Sequence, residues 1–229
     1  MDKTNLSITQ QAVLGLAALA IIMWLAIFLP GWSINYWQGW IYWAAFFVSV
    51  TSISVYFIKR DLTLIANRLK AGPTAEKERS QQITQVFATV FFILLILIPP
   101  FDHHFRWSNV PLYAVIPSDA LVVLGLAIVF LVFRENSFTS GIIEVNKDQR
   151  VISTGPYAVV RHPMYSGALL MLFFTPIALG SFWGLIAFLP MLIVIGYRLV
   201  EEEKFLTKKL EGYIEYCQRT RYRLVPFIW

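Results

Sequence analysis

The residues best suited to chemistry fall in the last third of this chain, in two clusters. The first is Gly155-Pro-Tyr157-Ala-Val-Val-Arg161-His162-Pro163-Met-Tyr165-Ser-Gly167, a polar, constrained stretch between two long apolar runs; the second is Arg198-Leu-Val-Glu201-Glu202-Glu203, directly after the later run. Gly155-Pro156 ends the loop before it. Pro163 fits the first turn of a helix, where its missing N–H costs no hydrogen bond, so His162-Pro163 marks a helix start at the membrane face. The unsatisfied N–H groups and positive dipole end of such a helix suit an anion such as a carboxylate. Gly167 would let a ligand or another helix approach the backbone closely, and Tyr165, three residues after His162, roughly shares its face. Taken singly, each residue also has a purely structural explanation: Arg161 as a snorkelling cation, His162 as a cap, Tyr165 as an interface anchor and Gly167 as a packing contact.

Carboxylates at a membrane boundary are costly unless paired or turned to a polar cavity, and the second cluster carries three in succession. Arg198 and Glu202 stand at i and i+4, a pairing worth only a few tenths of a kcal/mol on a helix surface. Glu203 lies about 140° around the helix from Arg198, so that pair does not explain both acids. Elsewhere the candidates are weaker. Cys217 is the single cysteine, set among Tyr213, Tyr216 and Arg219, without a base nearby in sequence to make it a thiolate. Asp102-His103-His104 resembles a metal motif, but adjacent side chains diverge and the same outer loop holds no further His or Cys, so no metal is expected.

The elements that must position these residues follow from composition. With 57% apolar and only 14% charged residues in 229, the chain reads as an all-α integral membrane protein, because lipid offers unpaired backbone groups no partner. A span needs roughly 20 apolar residues, and about six transmembrane helices are expected, near 12–30, 37–58, 84–100, 116–133, 164–180 and 182–197. The last two form a tight helical hairpin around Gly180-Ser181, and a cytoplasmic C-terminal helix follows. The first span is read as retained, since Leu29-Pro30-Gly31-Trp32 is too bulky for a cleavage site. Of the 19 Lys and Arg, all but Arg106 fall on one side of this topology, which puts both termini and the motif loop in the cytoplasm. The net charge of +5 is then topology plus attraction to anionic membrane lipids, and needs no nucleic acid. The segment 59–84 reads as an interfacial amphipathic helix broken by Gly72-Pro73. Trp32, Tyr36, Trp37, Trp40, Tyr42 and Trp43 read as an interface belt without chemistry.

Together, the motifs resemble the isoprenylcysteine carboxyl methyltransferase family, membrane methyltransferases that include phospholipid N-methyltransferases. The matching elements are Gly155-Pro-Tyr157-x-x-x-Arg161-His162-Pro163-Met-Tyr165-x-Gly167, Glu202-Glu203-x-x-Leu206, Tyr213-x-x-Tyr216 and the terminal Arg221-Tyr-Arg-Leu-Val-Pro226-Phe-Ile-Trp229. The likeness is close over 117–229, the expected methyltransferase core, and looser over 1–116, the expected N-terminal membrane part. Leu210-Glu211-Gly212 before Tyr213 is one residue shorter than in many members. The resemblance implies S-adenosylmethionine bound at the cytoplasmic face. Its cofactor residues carry over to His162, Tyr165, Gly167 and Glu202, with Tyr157 and Arg161 shaping the pocket; Arg198 and Glu203 match residues that position the substrate and support catalysis. The implied reaction is O-methylation of an isoprenylcysteine-like or other lipophilic carboxylate entering from the bilayer. N-methylation of a phospholipid headgroup or methylation of a small thiol is the alternative, and a non-catalytic membrane scaffold the alternative of another class.

Overall fold

The computed structural model describes residues 6–145 and 148–229; Lys3, Asn146 and Lys147, which enter the charge count and the loop reading above, lie outside the described residues. Eight α-helices and no strand occur among the described residues: α1 (Ile8–Phe28), α2 (Trp37–Arg60), α3 (Leu62–Leu69), α4 (Arg79–Phe105), α5 (Leu112–Glu135), α6 (Pro163–Ala178), α7 (Leu185–Lys209) and α8 (Tyr213–Arg219). Four of them, α1, α2, α4 and α5, are long and apolar enough to cross a bilayer. They turn side chains such as Ile21, Ile22, Val48 and Leu124 outward, as lipid-facing helices of a multi-pass integral membrane protein do.

The two remaining expected spans differ in form. α6 has only 16 residues, short of a full crossing, and α7 is apolar in its first half but runs without a break through Arg198 to Lys209. A left-handed Gly180 and a bond from Ser181 N–H to the Pro176 carbonyl (2.9 Å) make the turn between them. The hairpin is splayed: α6 packs chiefly on α5, and α7 chiefly on α4. The α5–α6 contact depends on two glycines. A Cβ on Gly167 would lie 2.7 Å from the Gly125 carbonyl oxygen, and one on Gly125 would lie 2.6 Å from that of Gly167. Small residues let membrane helices approach to backbone contact, and this pair brings the start of α6 against the middle of α5.

The aromatic cluster divides. Trp32, Trp37 and Trp40 are exposed, as an interface belt requires, but Tyr36 and Tyr42 are fully buried. Tyr36 donates to the Leu179 carbonyl and stacks on His103, and the Tyr42 hydroxyl lies 3.1 Å from Thr175 Oγ1. A phenol can enter an apolar core if its O–H finds a partner, and both do. Asp102 is likewise structural: it accepts from Ser108 N–H, Ser108 Oγ and Ser181 Oγ, tying the α4–α5 loop to the α6–α7 turn.

Helix α3 departs from the expectation of a plain surface helix. Asp61 caps it by accepting from Leu64 N–H (2.9 Å), and Gly72, at φ 93°, with a 3-10 turn over Pro73–Ala75, ends the segment. Leu62 and Leu69 are exposed as an interfacial face would be, yet Leu64 and Asn67 are buried and Arg68 points into the protein. The 136–145 loop presses on the end of α3 so closely that a Cβ on Gly141 would lie 2.5 Å from the Lys70 carbonyl.

Candidate active site

The motif turn is built from its glycine outward. Gly155 adopts φ 56°, where side chains are strained, and a Cβ there would meet Glu135 Oε2 at 3.0 Å. A 3-10 turn over Gly155–Ala158 follows, and its Tyr157 carbonyl accepts from Tyr216 Oη (2.8 Å) and Thr220 Oγ1 (3.3 Å) near the end of α8. The C-terminal tail holds the next residues by backbone: Arg161 N–H donates to the Tyr222 carbonyl (2.9 Å), and His162 N–H to that of Arg223 (3.0 Å). Ser166 Oγ adds a bond to the Leu224 carbonyl at 2.6 Å. Pro163 occupies the first turn of α6 as expected, but the His162 side chain makes no capping bond.

His162 turns instead to Glu203. Its Nε2 lies 3.2 Å from Glu203 Oε1, Arg161 Nε lies 3.2 Å from the same oxygen, and Arg223 Nε donates to Oε2 at 2.8 Å. Burial alone would raise the Glu203 carboxyl; the hydrogen bonds from His162 and Arg223 and the Arg161 charge outweigh it and hold the group below the ordinary glutamate range. The carboxylate thus joins α7, the motif turn and the tail. Its neighbour Glu202 faces the other way and accepts from Tyr165 Oη at 2.6 Å; its second oxygen has no hydrogen-bond partner among the described residues.

A cavity of about 270 Å³ lies in front of this wall, close to the lower end of the ~300–1,000 Å³ usual for small-molecule clefts. Tyr157, Arg161, His162, Tyr165, Arg198 and Glu202 line it, with Tyr213 and Tyr216. Burial pushes Tyr157 up to about 12, so its hydroxyl stays neutral and accepts from Asn136 Nδ2 at 3.0 Å. Two expected site residues stand apart from the cavity wall. Gly167 is not part of the lining and makes the α5 contact instead, which is the packing explanation rather than the cofactor one. Glu203 sits behind His162, also outside the lining, with both oxygens engaged.

Arg198 and Glu203 therefore do not work as neighbours. The Arg198 guanidinium pairs with Glu76 at 2.7 Å and donates to Gln81 Oε1 (3.3 Å) and the Gly141 carbonyl (3.2 Å). Glu76 is itself buried and also accepts from Gln85 Nε2 and from Ile143 N–H, both at 3.3 Å. Glu76, Arg68, Glu144 and the loop from Asn136 to Ile152 escaped the motif reading, although Arg68 and much of the loop form the opposite wall. The only local signals were an acid in a basic segment and a glycine at 141, and neither spacing points to a partner a hundred residues away.

Among the described residues no group of His, Cys, Asp and Glu is arranged to hold a metal ion. No curated protein matches the chain. Residues 113–211 run from the first turn of α5 to just past α7 and so contain the motif turn, Arg198 and both glutamates. They match the family model described as phospholipid methyltransferase, a family of membrane methyltransferases.

Proposed function

We propose that the protein is an S-adenosylmethionine-dependent methyltransferase that binds its donor in the cavity between the motif turn and the 136–152 loop. The observation that carries this reading is convergence: Tyr157, Arg161, His162, Tyr165, Arg198 and Glu202, spread over 46 positions of sequence, surround one cavity. The lining suits an aromatic, zwitterionic, hydroxyl-bearing ligand, with tyrosine rings and, among the described residues, a Glu202 oxygen and a buried Tyr213 hydroxyl without a hydrogen-bond partner. When bound, S-adenosylmethionine supplies a sulfonium methyl open to in-line displacement, so alignment and electrostatics carry most of the rate.

The side chains divide that work. Tyr165 orients Glu202 toward the ligand, and Glu203 orients His162 while fixing the turn to the tail. In the tautomer that directs Nε2–H at Glu203, His162 keeps Nδ1 as a proton acceptor, the arrangement of a base held by a carboxylate. An amine acceptor, which must lose a proton, has use for that base; a carboxylate acceptor has none. A headgroup amine is accordingly the first acceptor reading, supported by the match to phospholipid methyltransferases and by the neutralisation of Arg198 by Glu76. A lipophilic carboxylate is the second, because Arg198 does border the cavity and a guanidinium binds carboxylates bidentately. Either acceptor would enter from the bilayer, with the cavity and both termini on the cytoplasmic side by the distribution of basic residues.

Two measurements test this. Detergent-solubilised protein should bind S-adenosylhomocysteine in calorimetric titration, and absence of binding overturns the donor assignment. Labelled S-adenosylmethionine, offered with phosphatidylethanolamine, a prenylcysteine and a small thiol, should label phosphatidylethanolamine; label in the prenylcysteine alone reverses the acceptor ranking.

A further inference from the structure

Four arginines line the cavity: Arg68, Arg150, Arg161 and Arg198. Arg161 has Glu203 and Arg198 has Glu76, while Arg150 is exposed and can be hydrated. Arg68 is in neither situation. It comes from α3, outside the family-matched stretch, and its residue is largely withdrawn from solvent, yet no carboxylate lies within ion-pair distance of it among the described residues. Among the described residues its hydrogen-bond partners are neutral: Nη1 donates to the Ser140 carbonyl at 2.8 Å and approaches Met164 Sδ at 3.8 Å. The guanidinium lies over the Phe133 ring at 5.1 Å, and Nη2 and Nε have no acceptor among the described residues.

A cation taken out of water is costly unless something negative meets it. Burial lowers the Arg68 pKa and the like charge of Arg198 acts in the same direction, against the opposing influence of Tyr165 and Tyr157. The nearby acids do not supply it: Glu144 is 3.5 Å from Lys70, and neither Glu144 nor Glu202 is within ion-pair distance of Arg68. The remaining source is a ligand in the cavity that Arg68 borders.

We infer that Arg68 is an anion-binding residue of this cavity, its free Nη2 and Nε gripping a ligand carboxylate or phosphate. The inference rests on the methyltransferase reading, in which two ligands carry such a group: the methyl donor, through its amino-acid carboxylate, and a phospholipid acceptor, through its phosphate. Planar paired donors suit both oxyanions equally, so the chemistry is shared and the source is a matter for experiment.

The experiment compares wild type, Arg68→Gln and Arg68→Lys in calorimetric titrations with S-adenosylhomocysteine and with 5′-methylthioadenosine, which lacks the carboxylate, and in kinetics with phosphatidylethanolamine micelles. If the donor carboxylate is the partner, Arg68→Gln weakens S-adenosylhomocysteine by roughly 10- to 100-fold, the worth of a charge-assisted bond, and leaves methylthioadenosine unchanged. If the lipid phosphate is the partner, both nucleoside affinities stay constant and KM for phosphatidylethanolamine rises by a similar factor. Arg68→Lys, which keeps the charge but loses the fork, should fall between wild type and Arg68→Gln. Equal loss for both nucleosides, or no change in any of the three measurements, makes Arg68 a structural tie and overturns the inference. Failure of wild type to bind S-adenosylhomocysteine removes the methyltransferase reading instead, so the two failures are distinguishable.

Discussion

The two walls of the cavity handle charge in opposite ways. Behind the wall made by the motif turn, α7 and α8, Glu203 collects Arg161, His162 and Arg223, and both of its oxygens are engaged without a ligand. On the wall made by α3 and residues 136–144 and 149–152, Arg68 meets only neutral partners among the described residues. The first arrangement is a means of fastening three chain segments together, and the second is a means of receiving something. Adjacency in sequence conceals this division most at Glu202 and Glu203, which leave α7 in different directions, one into the cavity and one behind it.

The largest effect is expected where the self-sufficient wall is opened. Glu203→Ala leaves two arginines and a histidine without their common partner, and breaking a buried ion cluster by removing one member costs about 3–5 kcal/mol. The thermal melting midpoint of detergent-solubilised protein should drop sharply, with release of the tail detected as new proteolytic cleavage after Thr220. Acid should imitate the substitution. Because the folded-state carboxyl is held below its ordinary value of 4.5, its contribution is complete above that value and fades as pH falls through and below it. Wild type should therefore lose melting temperature over that interval, and Glu203→Ala should lose less. A flat wild-type profile would mean that the cluster does not fasten the wall.

How far each wall could be read from sequence follows from how each is assembled. The helices were legible because lipid imposes length and apolarity on them, and the His162-Pro163 start of α6 because proline restricts where a helix begins. The motif side of the site was legible through its clustering within 155–167 and 198–203. Glu76 and Arg68 were not, since their meaning lies in contacts with Arg198 and the 140 region, set by how α3 and the start of α4 fold back over the loop. Which neighbour uses the space at Gly167 was not legible for a similar reason. Sequence shows that the backbone there is accessible, and only packing shows that Gly125 occupies the space.

That contact gives the second prediction. Gly167→Ala sets a methyl group 2.7 Å from the Gly125 carbonyl, so α5 and α6 must separate, at a cost of about 1–3 kcal/mol. If the glycine belongs to the scaffold, the melting midpoint falls while S-adenosylhomocysteine affinity, measured well below that midpoint, stays within about twofold. A large affinity loss in a variant of undiminished stability would return Gly167 to the binding surface.

Tyr165→Phe should do the reverse, and by a smaller amount. The phenylalanine ring preserves the packing of this side chain against the buried cluster of Leu95, Leu172, Ala187, Met191 and Ile195. What disappears is the 2.6 Å bond to Glu202, which frees that side chain to swing and to spend part of its time solvated rather than directed into the cavity. A hydrogen bond to a charged group is worth about 1.5–3 kcal/mol, of which solvation of the freed carboxylate returns a share, so S-adenosylhomocysteine affinity should weaken about tenfold. The melting midpoint should move by no more than a few degrees. Stability without affinity at Gly167, and affinity without stability at Tyr165, would separate the fastening from the receiving parts of α6 within one turn of helix, because the two residues lie two positions apart and face opposite sides of it.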